Sequence, residues 1–445
     1  MLSELQEHIL TDGFGIVIDF AKSRGPYLWD AASGRRLLDL YGFFGSLPIG
    51  FNHPQFDRAE VQQHLADAAR TKVANSDVYS EHLAMFVRTF HRVMGLPGME
   101  RYFFIDGGAL AVENALKAAM DWKVRKNMEL GRGERGTEIL HFERAFHGRS
   151  GYTMSLTNTD LRKTALFAKF PWPRVSTPSI DFSLAEPART RDVIQREKRS
   201  EQQIREILQK RSADIAAIII EPIQGEGGDN HFRGEWHRTL RRLCDEYDVL
   251  LIFDEVQTGF GTTGKRWCAE HFAVRPDLIA FGKKSQTCGV MAGPRLDEVA
   301  ENVFRLPSRI NSTWGGNLAD MVRSSYIMEI IERDGLLEHA TRIGTKFVEA
   351  LESLAREQPL ISAVRGRGMM IAFDLPDKDA REQFYRGLYE AGLLAIRSGE
   401  RSIRFRPVLD FPENAVEEAI DLMRRQCRRM GDFAPAKESE GQLVK

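Results

Sequence analysis

Three uninterrupted apolar runs, each ending in a charged residue, constrain the fold of this chain more than any other feature. The runs read IAAIIIEP, VLLIFDE and DLIAFGK, and helical segments separate them along the chain. Strands that are apolar throughout are typical of a parallel sheet covered by helices on both faces. Ligands of such sheets bind where the strands end, at the carboxyl edge. The sequence therefore predicts a site that contains the three terminal charges, Glu221, Asp254 and Lys283.

Other patterns divide the chain into parts. Two short apolar stretches around a turn at 32–35 predict a hairpin, and GGALAVENALKAAMDWKV predicts a helix that begins after paired glycines. After residue 318 the pattern predicts a long helix, then strands in ISAVRGRGMMIAFDL and RSIRFRPVLDF, and a last helix near 413–430. The expected division is a segment 1–55 that contributes to a smaller domain, a large domain over 56–317, a C-terminal small α+β domain over 318–433 and a disordered tail over 434–445.

Charge and cysteine content narrow the classes of partner. Lys and Arg total 62 against 63 for Asp and Glu, so no excess charge favours nucleic acid or an anionic membrane. The four cysteines lack C-x-x-C spacing, and the chain does not open with a secretory signal. Both features predict that the protein is located in a reducing cytoplasm.

The apolar runs of the chain are far shorter than the roughly 20 residues of a membrane helix. The charged segment 185–211 is interpreted as a solvated helix or a surface excursion.

A lysine at a strand end can bind phosphate, form an ion pair or act as a nucleophile. Gly259, Gly264 and Lys265 have the spacing of a phosphate-binding P-loop, but Arg266 stands where that loop needs Ser or Thr for magnesium. The QGEGG stretch lacks the full spacing of a dinucleotide fingerprint. Pyridoxal phosphate is the alternative, because it requires a lysine for its aldehyde, a carboxylate against its pyridine nitrogen and glycine-rich backbone for its phosphate.

The stretch LIFDEVQTGFGTTGKRWCAEHFAVRPDLIAFGK resembles the signature of the class III (subgroup II) aminotransferases, which have fold type I. The resemblance extends over roughly residues 10–430 and implies an α/β fold: a mostly parallel central sheet covered by helices in a large domain that binds pyridoxal 5'-phosphate, with a smaller α+β domain. It implies that Asp254 holds the pyridinium and that Lys283, which follows Gly282, is the Schiff-base lysine. Lys284 is then a neighbour without a covalent role.

The same resemblance implies the remaining cofactor contacts. Backbone amides of Gly108 and Ala109 at a helix N-terminus suit the phosphate, which is a dianion. Phe146 resembles the aromatic residue that stacks on the pyridine ring of the cofactor. Gln257 resembles the residue that reaches the hydroxyl group of that ring. In NSTWGGN, Ser312 and Thr313 resemble residues that contact the phosphate of a second subunit, which implies a homodimer with shared active sites. No metal is expected.

Substrate residues also follow from the resemblance. Arg149 is similar to the arginine that binds the distal carboxylate, and Arg404, in preference to Arg406, to the one that binds the α-carboxylate. Glu226 is expected to pair with Arg404 when no carboxylate is there. Asn311 and Gln257 complete the predicted substrate site.

GGALAVEN departs from the Gly-Ser-Glu-Ala of most of the superfamily. With AFHGRSGYTMSLTNTD and EPIQGEGGDNHFR it resembles the lysine ε-aminotransferase branch more than the ornithine or 4-aminobutyrate enzymes. The implied reaction moves the ε-amino group of L-lysine to 2-oxoglutarate and gives 2-aminoadipate 6-semialdehyde and L-glutamate. Other ω-amine donors, a decarboxylase or aminomutase of the same fold, and a cofactor-free binding protein remain alternatives.

Overall fold

The computed structural model describes residues 1–431, and its strands form three sheets. The strands are, in chain order, β1 Tyr27–Asp30, β2 Arg35–Asp39, β3 Arg101–Ile105, β4 Glu138–Phe142, β5 Arg174–Val175, β6 Ile215–Ile220, β7 Leu250–Glu255, β8 Leu278–Phe281, β9 Cys288–Ala292, β10 Ser362–Arg367, β11 Met370–Asp374, β12 Leu393–Leu394, β13 Ile396–Ser398 and β14 Ser402–Phe405.

Helices cover the sheets and account for most of the remaining regular structure. They are α1 Leu2–His8, α2 Gly42–Gly45, α3 Ala59–Arg70, α4 Glu81–Met94, α5 Gly108–Glu129, α6 Gly151–Leu156, α7 Ala188–Arg211, α8 Gly234–Glu246, α9 Leu318–Arg333, α10 Leu336–Glu357, α11 Lys378–Ala391 and α12 Glu413–Met430. The helix predicted after the paired glycines is α5, and the predicted last helix is α12.

The largest sheet has seven strands in the order β3-β9-β8-β7-β6-β4-β5. All neighbours from β8 to β5 run parallel, and only β9 runs against the others. Every residue of β6, β7 and β8 is buried, because helices cover both faces of the sheet. The prediction of a mostly parallel, doubly covered sheet is confirmed.

The parallel arrangement brings the predicted charged residues to one edge. Asp254 pairs in register with Ala280, which places the ends of β7 and β8 side by side. Glu221 directly follows β6, and Lys283 follows β8 after one glycine. The carboxyl edge of this sheet therefore carries all three.

Two smaller sheets join distant parts of the chain. β10, β11, β14 and β13 form an antiparallel sheet packed against α10 and α11. β1 and β2 form the predicted hairpin, and β12 adds to β2 in parallel, so N-terminal residues pair with C-terminal ones. The long helix expected after residue 318 is two helices, because Gly335 adopts a left-handed conformation between α9 and α10.

The charged segment near 185–211 contains α7, as interpreted, and buries one apolar edge that includes Val193, Ile204 and Leu208. None of the helices within residues 1–431 is long and apolar enough to cross a bilayer. The predicted disordered tail, 434–445, lies outside the described residues.

The short element α2 has an unusual backbone. Four consecutive residues, Gly42 to Gly45, have φ between 50° and 79°, and a bond from the Gly45 amide to the Tyr41 carbonyl closes a left-handed turn. Left-handed residues other than glycine are disfavoured by about 1–2 kcal/mol each, and Phe43 and Phe44 are two of them. The surrounding structure must hold such a turn in place.

Candidate active site

A cleft of about 2520 Å³ opens at the carboxyl edge of the large sheet, facing β14, α11 and the turn α2. Nine predicted site residues line it: Gly108, Ala109, Phe146, Arg149, Glu226, Asp254, Gln257, Lys283 and Arg404. Three others, Asn311, Ser312 and Thr313, lie outside it in the described chain. Loops that follow separate strands thus place residues far apart in sequence around one space.

The two adjacent lysines point in different directions. Lys283 lies in the cleft, and its Nζ donates to the Phe44 carbonyl at 3.0 Å. Lys284 is 1% exposed and points into the interior, where it donates to the carbonyls of Leu47 and Pro407. Burial, followed by the nearby Arg404 and Arg406, lowers the pKa of Lys283 to about 8. Of the pair, Lys283 is the amine that a molecule in the cleft can reach, as the choice of the Schiff-base lysine requires.

The two acids at the end of β7 are also separated by strand alternation. Asp254 faces the cleft, whereas Glu255 accepts hydrogen bonds from the amides of Cys268 and Ala269 behind it. Burial raises the pKa of Glu255 to about 7. Asp254 is therefore the acid available to a ligand, and Glu255 fastens the following loop.

His147 is a functional candidate that the sequence reasoning missed. Its buried Nδ1 lies 2.7 Å from Oδ2 of Asp254, and the ring donates because a carboxylate only accepts. The other carboxylate oxygen accepts from the Val256 amide at 3.0 Å. His147 thus orients Asp254. Its position just after β4, at the same edge, was the signal that could have identified it.

Glu221 fixes the two loops beside Asp254. Its oxygens accept from the amides of Phe146 at 2.9 Å and Gly225 at 3.0 Å. Burial, together with the charge of Asp254, raises the pKa of this carboxyl to about 7. Glu221 lines the cleft as the strand pattern predicted, and its contacts are with the protein backbone.

The N-terminus of α5 forms a glycine-lined cradle. Gly107 caps the helix with φ 93°, and a Cβ added to Gly108 would lie 2.8 Å from a methyl group of Val256. The first amides of a helix have no intrahelical acceptor and favour an anion. This turn suits a phosphate group, and the phosphate-binding role of Gly108 and Ala109 stays a prediction.

Gln257 connects the cleft to two arginines. Its Oε1 accepts from Nη1 of Arg404 at 3.1 Å and from two nitrogens of Arg406 at 2.9 and 3.0 Å. This leaves the side-chain amide of Gln257 to donate to a ligand oxygen. Arg406 is fully buried and paired with Asp229, whereas Arg404 lines the cleft, as preferred from the sequence.

One hydrogen-bond donor of Arg404, its buried Nε, has no acceptor within residues 1–431. Leaving a buried charged donor unsatisfied is unfavourable, so the position favours a ligand carboxylate. Arg149 also lines the cleft and is exposed.

The expected ion pair between Glu226 and Arg404 is not formed. Glu226 instead pairs with Lys163 and accepts from the Thr159 hydroxyl at 2.9 Å. Lys163 comes from the loop after α6 and also lies over the ring of Phe146. The physical reason is proximity: this loop brings a second cation to the carboxylate, which a sequence motif does not reveal.

Ser312 and Thr313 lie on a surface segment. The Ser312 hydroxyl accepts from the Gly315 amide, and the Thr313 carbonyl accepts from Ser76. Thr313 and Asn311 are exposed. These positions are accessible to a second subunit, and their predicted roles stay predictions.

The side chains in the cleft suit pyridoxal phosphate. They offer a reachable amine on Lys283, a buried carboxylate on Asp254, an aromatic face on Phe146 and the cradle at Gly108. Each of these groups matches one requirement of that cofactor.

Comparisons with known proteins point to the same chemistry. The profile of the class-III aminotransferases matches residues 12–426. An L-lysine-epsilon aminotransferase of Mycobacterium tuberculosis is 49% identical over 423 residues, covering 94% of this chain and 93% of that protein. One of Streptomyces clavuligerus is 48% identical over 425 residues, covering 94% and 92%. A solved lysine aminotransferase from M. tuberculosis matches with a TM-score of 0.93 and 48% identity, covering 95% of this chain and 97% of that one.

Proposed function

The chain belongs to the class-III aminotransferases, and from that premise we propose that it transfers the ε-amino group of L-lysine to 2-oxoglutarate. The observation that carries the proposal is the near-half identity to lysine ε-aminotransferases along almost the whole chain. The products are 2-aminoadipate 6-semialdehyde and L-glutamate. Both half-reactions use one cleft in turn.

Pyridoxal 5'-phosphate is the cofactor of this class. When bound, it withdraws electrons from the carbon next to the substrate nitrogen, so that this carbon can lose a proton. Lys283 would hold its aldehyde and Asp254 its ring nitrogen. The α5 amides at Gly108 and Ala109 would hold its phosphate, Phe146 its ring face and Gln257 its ring hydroxyl.

Lys283 also moves the proton. Its lowered pKa, about 8, keeps an appreciable fraction of the free amine neutral near pH 7.5, and only a neutral amine can accept a proton from carbon. The hydrogen bond from His147 orients the Asp254 carboxylate, which would face the ring nitrogen of the bound cofactor. Glu221 supports both by fixing the loops around them.

Two arginines would select the substrates. Arg404, with its unpartnered Nε, would bind the carboxylate next to the reacting carbon of 2-oxoglutarate or glutamate. Arg149, an exposed residue that lines the same cleft, would bind the distal carboxylate, which in lysine is the α-carboxylate. Glu226 and Asn311 are proposed as further substrate contacts, with Glu226 held by Lys163 in the free protein.

We also propose a homodimer located in the cytoplasm. Support for the dimer comes from Ser312 and Thr313, which are outside the cleft of their own chain. Support for a reducing compartment comes from four buried cysteines that are all free.

The function is tested by assaying the holoenzyme with lysine, ornithine or 4-aminobutyrate and 2-oxoglutarate, with product identification by mass spectrometry. Lysine should give glutamate together with a mass for the cyclised semialdehyde, at a kcat/KM well above that of the other donors. A preference for ornithine or 4-aminobutyrate would overturn the donor assignment. Conversion of lysine without any glutamate would indicate a mutase or decarboxylase instead.

A further inference from the structure

Lys284 has no part in the proposed chemistry, yet it is a buried amine next to the reactive lysine. Its Nζ donates to the carbonyl of Leu47 at 2.7 Å and to that of Pro407 at 3.2 Å. Burying a lysine is unfavourable, and an apolar residue would fill the same space without that penalty. The role of this amine therefore follows from the two backbone segments that its hydrogen bonds hold, at Leu47 and Pro407.

The Leu47 carbonyl belongs to the loop that contains the left-handed turn Gly42–Gly45. Several bonds hold this loop: the Asp39 carboxylate accepts from the amides of Tyr41 and Gly42, and the Gln286 amide donates to the Ser46 carbonyl. Gln286 and Lys284 lie on the same short turn that carries Lys283. The turn after β8 thus donates hydrogen bonds to two successive carbonyls of the loop, those of Ser46 and Leu47.

The loop in turn contacts the reactive amine. The Phe44 carbonyl, inside the left-handed turn, accepts from Nζ of Lys283 at 3.0 Å. That carbonyl faces the cleft because residues 42–45 are left-handed, and a right-handed turn would direct it elsewhere. The position of the acceptor depends on a backbone conformation that relaxes unless it is held.

The second acceptor, the Pro407 carbonyl, links Lys284 to the segment that directly follows β14. Pro407 follows Arg406, whose side chain packs on Gly45, where an added Cβ would lie 3.2 Å from the arginine Cγ. One buried amine therefore connects the turn after β8, the left-handed turn and the end of the strand that carries Arg404.

We propose that Lys284 is a positioning residue: its amine holds the left-handed turn Gly42–Gly45 where the Phe44 carbonyl receives the amine of Lys283. Whenever the amine of Lys283 is free, this carbonyl holds it at the cleft. The inference rests on the proposed function only for the role of Lys283.

The test compares Lys284→Met with Lys123→Met. Lys123 is likewise buried and donates to a backbone carbonyl, that of Asp248, but it does not line the cleft. Hydrogen–deuterium exchange of the cofactor-free proteins reports on residues 41–47. Covalent capture of pyridoxal phosphate, trapped with borohydride and located by mass spectrometry, reports on Lys283.

We expect Lys284→Met to speed exchange at 41–47 by about tenfold and to slow capture on Lys283 by a similar factor, because the loop opens locally. Lys123→Met should change neither, at matched stability. Gln286→Leu, which removes the bond to Ser46, should change both in the same direction by less, and it decides the question if Lys284→Met does not fold.

Unchanged exchange and capture in the Lys284 variant, or in Gln286→Leu if only that one folds, would overturn the inference, as would equal losses in Lys123→Met. Neither readout involves lysine or 2-oxoglutarate as substrates. Failure of the positioning role is therefore distinguishable from a wrong substrate assignment.

Discussion

At the scale of single residues, the adjacent lysines Lys283 and Lys284 should respond differently to substitution, because only Lys283 is expected to attach the cofactor. Lys283→Ala should abolish turnover while the protein still folds, because neither the covalent attachment nor the proton acceptor remains. In the parent, mass spectrometry after borohydride reduction should find the cofactor on Lys283. Finding it on Lys284 would contradict the assignment made from the cleft geometry.

The adjacent acids Asp254 and Glu255 offer a matched pair. Asp254→Asn should lower kcat/KM by at least about a hundredfold, equivalent to about 2.7 kcal/mol, because the charge that keeps the ring protonated is lost. Glu255→Gln should mainly lower the free energy of unfolding, since Glu255 bonds the amides of Cys268 and Ala269 away from the cleft. Steady-state kinetics and thermal unfolding of both variants check this. Near-normal turnover of Asp254→Asn would leave that acid a structural role only.

The lowered pKa of Lys283 predicts a pH dependence. Burial and two arginines lower it from 10.5 to about 8, so the folded state binds the proton less tightly than the unfolded state. This group therefore opposes folding fully below pH 8, and its penalty fades as the pH rises towards 10.5. Labelling of Lys283 by an amine-specific reagent in cofactor-free protein should rise about tenfold per pH unit below 8 and then level off. A midpoint near 10.5 would contradict the prediction.

At the scale of elements, the N-terminus of α5 is the feature with the clearest consequence. Gly107 caps it with φ 93°, and Gly131 just after the same helix has φ 70°. An added Cβ meets nothing within 4 Å at either position, so alanine should introduce backbone strain without a side-chain clash in both variants. The strain should be larger at Gly107, because its φ of 93° and ψ of 130° lie outside the left-handed helical region. Only Gly107→Ala should also release the cofactor, about tenfold faster, because it disturbs the phosphate cradle. Dialysis followed by absorbance measures that release, and equal retention in both variants would argue against the cradle.

The element α2 shows why strain and site coincide. Phe43 and Phe44 together disfavour the left-handed turn by about 2–4 kcal/mol, and bonds from Asp39, Gln286 and Lys284 hold it. Strained backbone is retained where the surrounding structure supports it and the function uses its geometry. Here the Phe44 carbonyl faces the reactive lysine.

At the scale of the whole molecule, the position of Thr313 bears on assembly. If Thr313 reaches the phosphate of a second subunit, a heterodimer of Thr313→Ala and Lys283→Ala chains has one intact site and one with both defects. An equal mixture should then recover about a quarter of the parental sites, since half of the dimers are mixed. Activity at limiting cofactor after subunit exchange measures it. No recovery, with mixed dimers verified by native mass spectrometry, would mean that each chain builds its own site.

The sequence by itself determined the type of sheet and which charged residues lie at the ends of its strands. Fully apolar strands can be buried only between two helical layers, so the three runs specified a parallel sheet, and its carboxyl edge necessarily collected Glu221, Asp254 and Lys283. Glycines before α5 specified the start of that helix. These are local properties, which depend on neighbours along the chain.

Only the tertiary structure decided which side chains meet. Lys163 pairs with Glu226 in place of Arg404, and His147 bonds Asp254 from a loop more than a hundred residues away. Gly335 divides the helix expected after residue 318, and the left-handed turn at α2 forms because contacts from separate strands outweigh the local preference of two phenylalanines. Pairing between charges depends on distance in space, which loops set only when the whole chain has folded.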